Sequence, residues 1–577
     1  MKAEKKITLF AIGIFLFVFL PVYCSAQSAA KPGSRVIHVV HANSLEFDKR
    51  LGDGAQRLIG NVVLADDSTT LYSDSAYSFP DNSFRAFGHV HMSRKDSVDL
   101  YGDSLHYNGI TRITQVYGKT IKCVRKGMTL TTKHLLYDIS GHSVNYWDGG
   151  TIVDSNNTLT SMIGIYNSAE RMCYFKERVV LTNPKYVIHC DTMLYAPDSK
   201  VAFFRGPTRI TSKSNFMYCE KGYYNTSRNY CQFWQNPYML NKKGDSLSGD
   251  QIYYDRNRDY GQVLDNVSLV DTADNIILKG DYAEYNGGDE TILATCKALL
   301  LQVYNKDTLH LHGDTLFGKN ISMTDTNKNG KPKLMLAYHH VKFFKKDLSG
   351  KCDSLTYDEK DSIMRMFYAP ILWSDENQLT ADSMRLHFRN KKMDILDMRG
   401  HSFIVSRDTL ASKLLKDDSA ASAQSMKDTL VSDSLHPAHD SLSTDSSHLH
   451  HDSVTVINRI VHGGDTLQFN QVKGKNMKGY FKDNKMYKVK VMGNAQTIYY
   501  VYTDNNATLL GANRADCSNM VLYITNSKIN SITFLQKPDA TLYPTKQVKQ
   551  SDFLLGGFHW YEYMKPRSVP DIFKGSE

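Results

Sequence analysis

The chain has 577 residues, 22% of them charged and 41% hydrophobic, with a formal net charge of +9. So mild an excess on so long a chain is compatible with an anionic surface such as a phosphorylated glycolipid and equally with ordinary surface charge, and no nucleic-acid partner is expected. Its nine cysteines form no CxxC pair, which argues against a dense disulfide framework, a zinc finger or a redox motif.

In chain order, Lys2, Lys5 and Lys6 precede an unbroken apolar run from Ile7 to Leu20, then Pro21 and Cys24-Ser25-Ala26. That order reads as a secretory signal peptide, residues 1–26, and so as an exported chain. Two alternatives stand beside it. One is a lipoprotein site at Cys24, where Pro21 and Tyr23 replace the preferred aliphatic and small residues. The other is an uncleaved anchor, for which the run is short.

From residue 40 to 406 one phrase recurs. It reads "SDSAY" at 73, "GDSLHY" at 102, "CDTMLY" at 190, "GDQIYY" at 249, "GDYAEY" at 280, "CDSLTY" at 352 and "ADSMRLHF" at 381. With degenerate copies at Lys133, Met162 and Glu220, the opening residues fall at 74, 103, 133, 162, 191, 220, 250, 281, 314, 353 and 382. Most steps are 29 to 31 residues, the mark of a stacked array.

Between the markers run "GNVVLAD" at 60, "GHVHMSR" at 88, "GGTIVDS" at 149, "GPTRITS" at 206, "DNVSLVD" at 265 and "GHSFIVS" at 400. Each is a turn former followed by alternating apolar and polar residues, the pattern of a half-buried strand. No helical period follows the leader, so the chain is expected to be all-β. One rung per repeat at about 4.8 Å would give eleven rungs a length on the order of 50 Å. The marker Asp is expected to cap a corner through side-chain to backbone hydrogen bonds. Cys190 and Cys219, each beside a marker, are expected to face one another on neighbouring rungs, close enough for a disulfide.

Residues 407–454 are rich in Ser and Asp and read as a disordered insert. Its His436, His439, His448, His450 and His451 have no preorganised geometry, and no metal site is assigned to them. Deleting about 410–452 is expected to leave the fold intact. A second β block is expected at 455–548, and residues 549–577 read as a cap over the open end of the stack or as a docking peptide.

Three classes of function compete. Carboxylates recur in nearly every repeat, whereas catalysis needs one constellation set apart, and no G-x-S-x-G, H-E-x-x-H, phosphate loop or calcium-binding nonapeptide occurs. The chain is therefore read as no enzyme, with no cofactor and no metal. A structural or adhesive β-solenoid of the envelope is the second class, although the tail lacks a hydrophobic anchor. The third is a lipid-handling scaffold, an apolar groove with a basic edge.

The stretch "GNVVLADDSTTLYSDSAYSFPDNSFRAFGHVHM", residues 60–92, resembles the OstA-like (organic solvent tolerance) repeat of periplasmic lipopolysaccharide-transport bridge proteins. The later "VKGKNMKGYF", "MGNAQTIYY" and "GANRADCSNMVLYI" resemble the carboxyl-terminal part of larger OstA-like proteins of Bacteroidetes-type bacteria. The resemblance implies an elongated, stacked β-jellyroll open along one edge, a β-taco, that joins partners end to end through β-strand pairing. It further implies a periplasmic protein, peripheral to membranes, that passes lipopolysaccharide or a related anionic glycolipid from the inner toward the outer membrane. The array is longer than the short bridge proteins of that family, and no tail of barrel strands follows.

The groove-lining positions it implies are Val62, Leu64, Val90, Met92, Ile152, Val267 and Leu269, with Tyr77, Tyr107, Tyr137 and Tyr195 at the ends of the marker phrases. Ordinary core packing is the competing reading of each. Asp or Arg at Val90 or Leu64 is expected to block lipid passage before it unfolds the stack.

Overall fold

A computed structural model describes residues 37–47, 54–65, 69–94, 98–125, 127–154, 156–304, 307–320, 333–374, 376–390, 392–408, 468–483, 485–503, 508–525, 528–544 and 553–575. The leader with Cys24 and the insert from 409 on lie outside the described residues. Within them the chain is all-β, with 37 strands and two short 3-10 turns, Glu562–Met564 and Val569–Phe573. It divides into two compact units, one of residues up to Lys126 with Asp138–Ser140, the other of Gly127–Tyr137 and Gly141 onward.

The first unit shows how each strand is built. Gln56–Ala65 pairs antiparallel with Thr69–Ser78, but the register slips between Ile59 and Val62. In the slip Gly60 and Asn61, both with positive φ, stand opposite the single marker Asp74, as in a β-bulge. The strand is thereby bent into two arms. The marker arm carries the residues that follow the Asp, and the leading arm those that precede it. Phe84–Arg94 repeats the slip against Val98–Asn108 at Gly88 and His89. Glycine is required at residue 88: φ is +77°, and a Cβ there would sit 2.2 Å from Asp74 Oδ2.

The marker carboxylate does hold the corner, chiefly through side chains. Asp74 bonds the His89 ring at 2.8 Å, and that bond raises the His89 pKa. In the second unit Asn236 donates to Glu220, Asn266 to Asp250 and Lys297 to Asp281, while His340 meets Asp314 and His401 meets Asp382. The expected backbone bond occurs at Asp103, which accepts from Lys119 N at 2.7 Å.

Each repeat holds two bent strands, not one rung. In the second unit Tyr186–Ala196 is followed by Val201–Ser212 before the next marker strand, Asn215–Asn225. A repeat therefore advances the stack by roughly 10 Å, twice the expected rise. The same doubling removes the disulfide between Cys190 and Cys219. Cys190 stands opposite Thr208, and Thr208 opposite Cys219, so about 9.6 Å separates their strands and a bridge cannot span it. Both cysteines are free, and burial pushes each thiol up to about 12.

The core lies between the arms. In the first unit Leu58, Ala76, Ala86 and Leu105 on marker arms are all 0% exposed, and Val62, Leu71, Val90 and Ile121 close the floor from the leading arms. Such full burial contributes about 1.5–3 kcal/mol for each Val, Leu or Phe. The second unit has one cluster from Tyr146 to Phe233 and another from Ile252 to Leu522. The latter runs straight past the insert, because Lys392–Asp408 pairs directly with Gln468–Lys482. Strands after the insert thus extend the preceding stack.

The tail does not cover the end of the stack. It lies along the outer face of the leading arms of the second unit, strapped by two buried glutamines. Gln471 donates to Phe553 O and accepts from Leu555 N, at 2.8 and 2.9 Å. Gln378 does the same with His559 O and Tyr561 N, at 2.7 and 2.6 Å. Phe553, Leu555, Phe403, Val405 and Phe469 form a separate cluster beneath it. Farther along, Phe573 packs on His312 with ring centroids 4.5 Å apart.

The Nδ1–H of His312 donates to Ala298 O, and its Nε2 is buried without a partner among the described residues. Burial lowers its pKa from 6.5. The unfolded or undocked state therefore takes the proton first, so the docking contribution is full above pH 6.5 and is lost as pH falls below it. Proteolysis near Phe573 is expected to quicken in that direction, and His312→Phe to abolish the dependence. Cleavage independent of pH in the parent chain would overturn this.

Candidate functional site

The two inner faces of the arms meet in a seam, deep at the corner and shallow toward the free ends. Depth follows from the period of two. The second residue after each marker points inward at the floor, as do Leu105, Leu135 and Met193. The fourth points the same way one step nearer the mouth, and Tyr107, Tyr137 and Tyr195 are accordingly half-buried. Tyr166, Tyr224, Tyr254, Tyr285 and Tyr357 occupy the same step in the second unit. Their phrases were visible in the sequence, and the fixed offset from the marker is the signal that finds them.

Tyr77 breaks the pattern and corrects its assignment. It follows Asp74 by three residues, so it faces outward from Ala76 and meets Phe87 edge-on at 6.1 Å. On the leading arms Val62, Leu64, Val90 and Val267 are at most 2% exposed and belong to the packed floor. Met92, Ile152 and Leu269 are half-buried. Ile152 and Tyr195 pack against the first core cluster of the second unit, and Leu269 against the other. Leu130, Ile210, Met217, Met239, Leu247 and Leu300 share their depth. The second unit therefore carries a row of half-buried apolar side chains along its seam.

Side chains cross the mouth of the second unit. Tyr186, at the free end of a leading arm, meets Tyr224 of a marker arm edge-on at 5.7 Å, and burial raises both phenols. Farther on, Lys333 on a marker arm reaches Asp271, at 2.8 Å, and Asp274 on the leading side. Burial alone would lower the Lys333 pKa, but the two carboxylates more than offset it and hold the ammonium above its ordinary value. Tyr254, raised to about 12 by burial and by donating to Asp259, lines the same mouth.

Among the described residues no group of three His, Cys, Asp or Glu could hold a metal ion. No helix there is long and apolar enough to cross a membrane. What the seam offers is a long apolar line, wetted along one side, suited to an extended hydrocarbon chain.

Among the described residues the outermost strands pair on one side only. His38–His41 and Ser44–Phe47 pair on one side, with Gln56–Ala65, and expose Val40 and Phe47 by 62% and 61%. In the second unit Lys528–Leu535 and Asp539–Pro544 both pair with Leu509–Thr525, leaving Leu535 and Leu542 exposed. Such edges are templates for an added strand.

Residues 34–191 match the family model described as OstA-like protein. No curated protein matches. Among solved structures, similarity is found to LptH of Pseudomonas aeruginosa, described as the LptA-homologous periplasmic component of the lipopolysaccharide transport device. Identity is 21% over 18% of this chain and 76% of that one, with a TM-score of 0.17.

Proposed function

From an OstA-like segment at residues 34–191, followed by bent strands on one plan as far as Asp539–Pro544, we propose that the protein is a periplasmic lipid-handling scaffold. It helps carry lipopolysaccharide, or a related anionic glycolipid, from the inner toward the outer membrane. Acyl chains lie against the half-buried side chains between the arms, at Met92 and Tyr107 in the first unit and at Tyr137, Ile152, Tyr195 and Leu269 in the second. Head groups stay in water at the mouth. The fully buried Val62, Leu64, Val90 and Val267 support those side chains from below.

The observation that carries this reading is the graded depth of the seam, closed at the corner and half-open to solvent at Tyr107, Tyr137, Tyr166, Tyr195, Tyr224, Tyr254 and Tyr357, each four residues after its marker, although Leu386 at the same step is fully buried. An apolar surface left half-exposed over many strands is costly unless something covers it. The exposed terminal edges add the means to join neighbouring transport proteins by strand pairing. Nothing in this role calls for catalysis or a cofactor.

Photocrosslinking in cells tests the reading. Benzoylphenylalanine at Met92 and Tyr195 is expected to give adducts that react with lipopolysaccharide antibody, whereas Tyr77 on the outer face gives none. Adducts to proteins alone at all three positions would replace the proposal by a non-catalytic structural or adhesive solenoid.

A further inference from the structure

The outer face of the marker arms near the end of the second unit is strongly basic, and the groove reading leaves it unused. Residues 473–490 contain seven lysines and one acidic residue, Asp483. Lys473 points to the strapped face, where it donates to Gly556 O. On the marker side, Lys478 stands directly opposite Lys490, and Lys482 opposite Lys485. Like charges paired across strands are destabilising, so the fold alone does not favour this arrangement.

The nearby carboxylates are already engaged. Asp397 is shared by Lys478 and His387, and Asp483 is held by Lys392 at 2.7 Å. Among the described residues, Lys482, Lys485, Lys488 and Lys490 have no carboxylate partner within ion-pair reach. Lys488 instead sits over the rings of Tyr480 and Tyr523, at 5.8 and 5.2 Å.

Aromatic and apolar groups share the face. Tyr487, Tyr523 and Met492 are 45%, 41% and 41% exposed. Lysines interleaved with tyrosines match the boundary of a lipid bilayer, where the ammonium groups meet lipid phosphates and the rings settle at head-group level. A soluble polyanion would satisfy the lysines and leave the tyrosines and Met492 in water.

We propose that this face docks on an anionic membrane surface and so fixes which part of the protein lies against a bilayer. Charge complementarity brings it there, and the exposed rings hold it. The site is separate from the seam, and its function does not depend on what the seam carries.

Co-sedimentation of the chain from residue 27 onward with lipid vesicles decides the matter. Vesicles of phosphatidylcholine containing phosphatidylglycerol are expected to bind it in a salt-sensitive manner, and pure phosphatidylcholine to bind it weakly. The triple variant Lys482→Gln, Lys485→Gln, Lys490→Gln should lose about five-fold in partitioning per lysine, on the order of a hundred-fold in all. Its thermal midpoint should match or exceed the parent's, since opposed like charges are removed. Lys185→Gln, Lys213→Gln and Lys242→Gln, at exposed positions elsewhere, should change little. Equal binding by parent and triple variant would overturn the proposal. Triple-sensitive binding to soluble polyphosphate without binding to vesicles would also overturn it.

Discussion

A chain ending at residue 552 is expected to unfold at markedly lower urea concentration than the whole protein. The truncation removes Phe553, Leu555 and Ile572, all at most 4% exposed, whose burial alone accounts for about 5 kcal/mol or more. It also opens the surface over Phe403, Phe469 and Trp373, now at most 5% exposed, and removes the main-chain partners that the Gln471 and Gln378 amides have in the tail. The double variant Gln471→Ala, Gln378→Ala isolates the strap. Each substitution orphans one backbone N–H and one carbonyl, at about 1–3 kcal/mol per unsatisfied group. Acrylamide quenching of Trp373 reports the uncovering independently of the melt. An unchanged midpoint with Trp373 still protected would mean that the tail is held without stabilising the wall.

The second large effect separates floor from mouth. Val90→Asp in the first unit, or Val267→Asp in the second, places a carboxylate at a site at most 2% exposed among apolar neighbours. The expected loss is about 3–5 kcal/mol, the range for an uncompensated buried charge. These variants should therefore fail by unfolding, contrary to what the sequence alone suggested for Val90. Met92→Asp and Leu269→Asp, at half-buried positions, should lose about 1 kcal/mol or less while abolishing lipid adducts. Circular dichroism melts beside the crosslinking assay distinguish the two. Intact folding of Val90→Asp would show the floor to be open rather than packed.

The repeat and the all-β class were legible because a bulge needs residues that accept positive φ. Gly60-Asn61 and Gly88-His89 mark it in plain letters. Two or three short strands per repeat were legible, but not that they form two successive rungs, since the marker phrase labels only one strand of each hairpin. That omission halved the rise and brought Cys190 and Cys219 one strand too close.

Faces were legible where the offset from the marker was counted, as at Tyr107 and Tyr195, and misread at Tyr77, where the phrase is one residue short. The strap was invisible. Gln471 and Gln378 recognise main chain far away in sequence, and a glutamine in a strand carries no sign of that. Between Val90 and Met92 the sequence reads alike, and only their distance from the corner separates packed floor from half-open mouth.

The hairpin character of the repeat has a consequence for how such a chain can change its length. One copy carries the backbone out along both arms and back again, so duplicating or losing it returns the chain to the same end with the same direction. Every downstream side chain then keeps its face, and both terminal edges keep their polarity. A unit of a single strand would reverse them all. Extra residues between two strands are equally harmless: the wide step from Asp314 to Asp353 still brings Thr315–Asn320 into register with Lys333–Lys345. A unit of this kind can thus be lengthened or shortened in steps of roughly 10 Å without changing the strands that it presents at its edges.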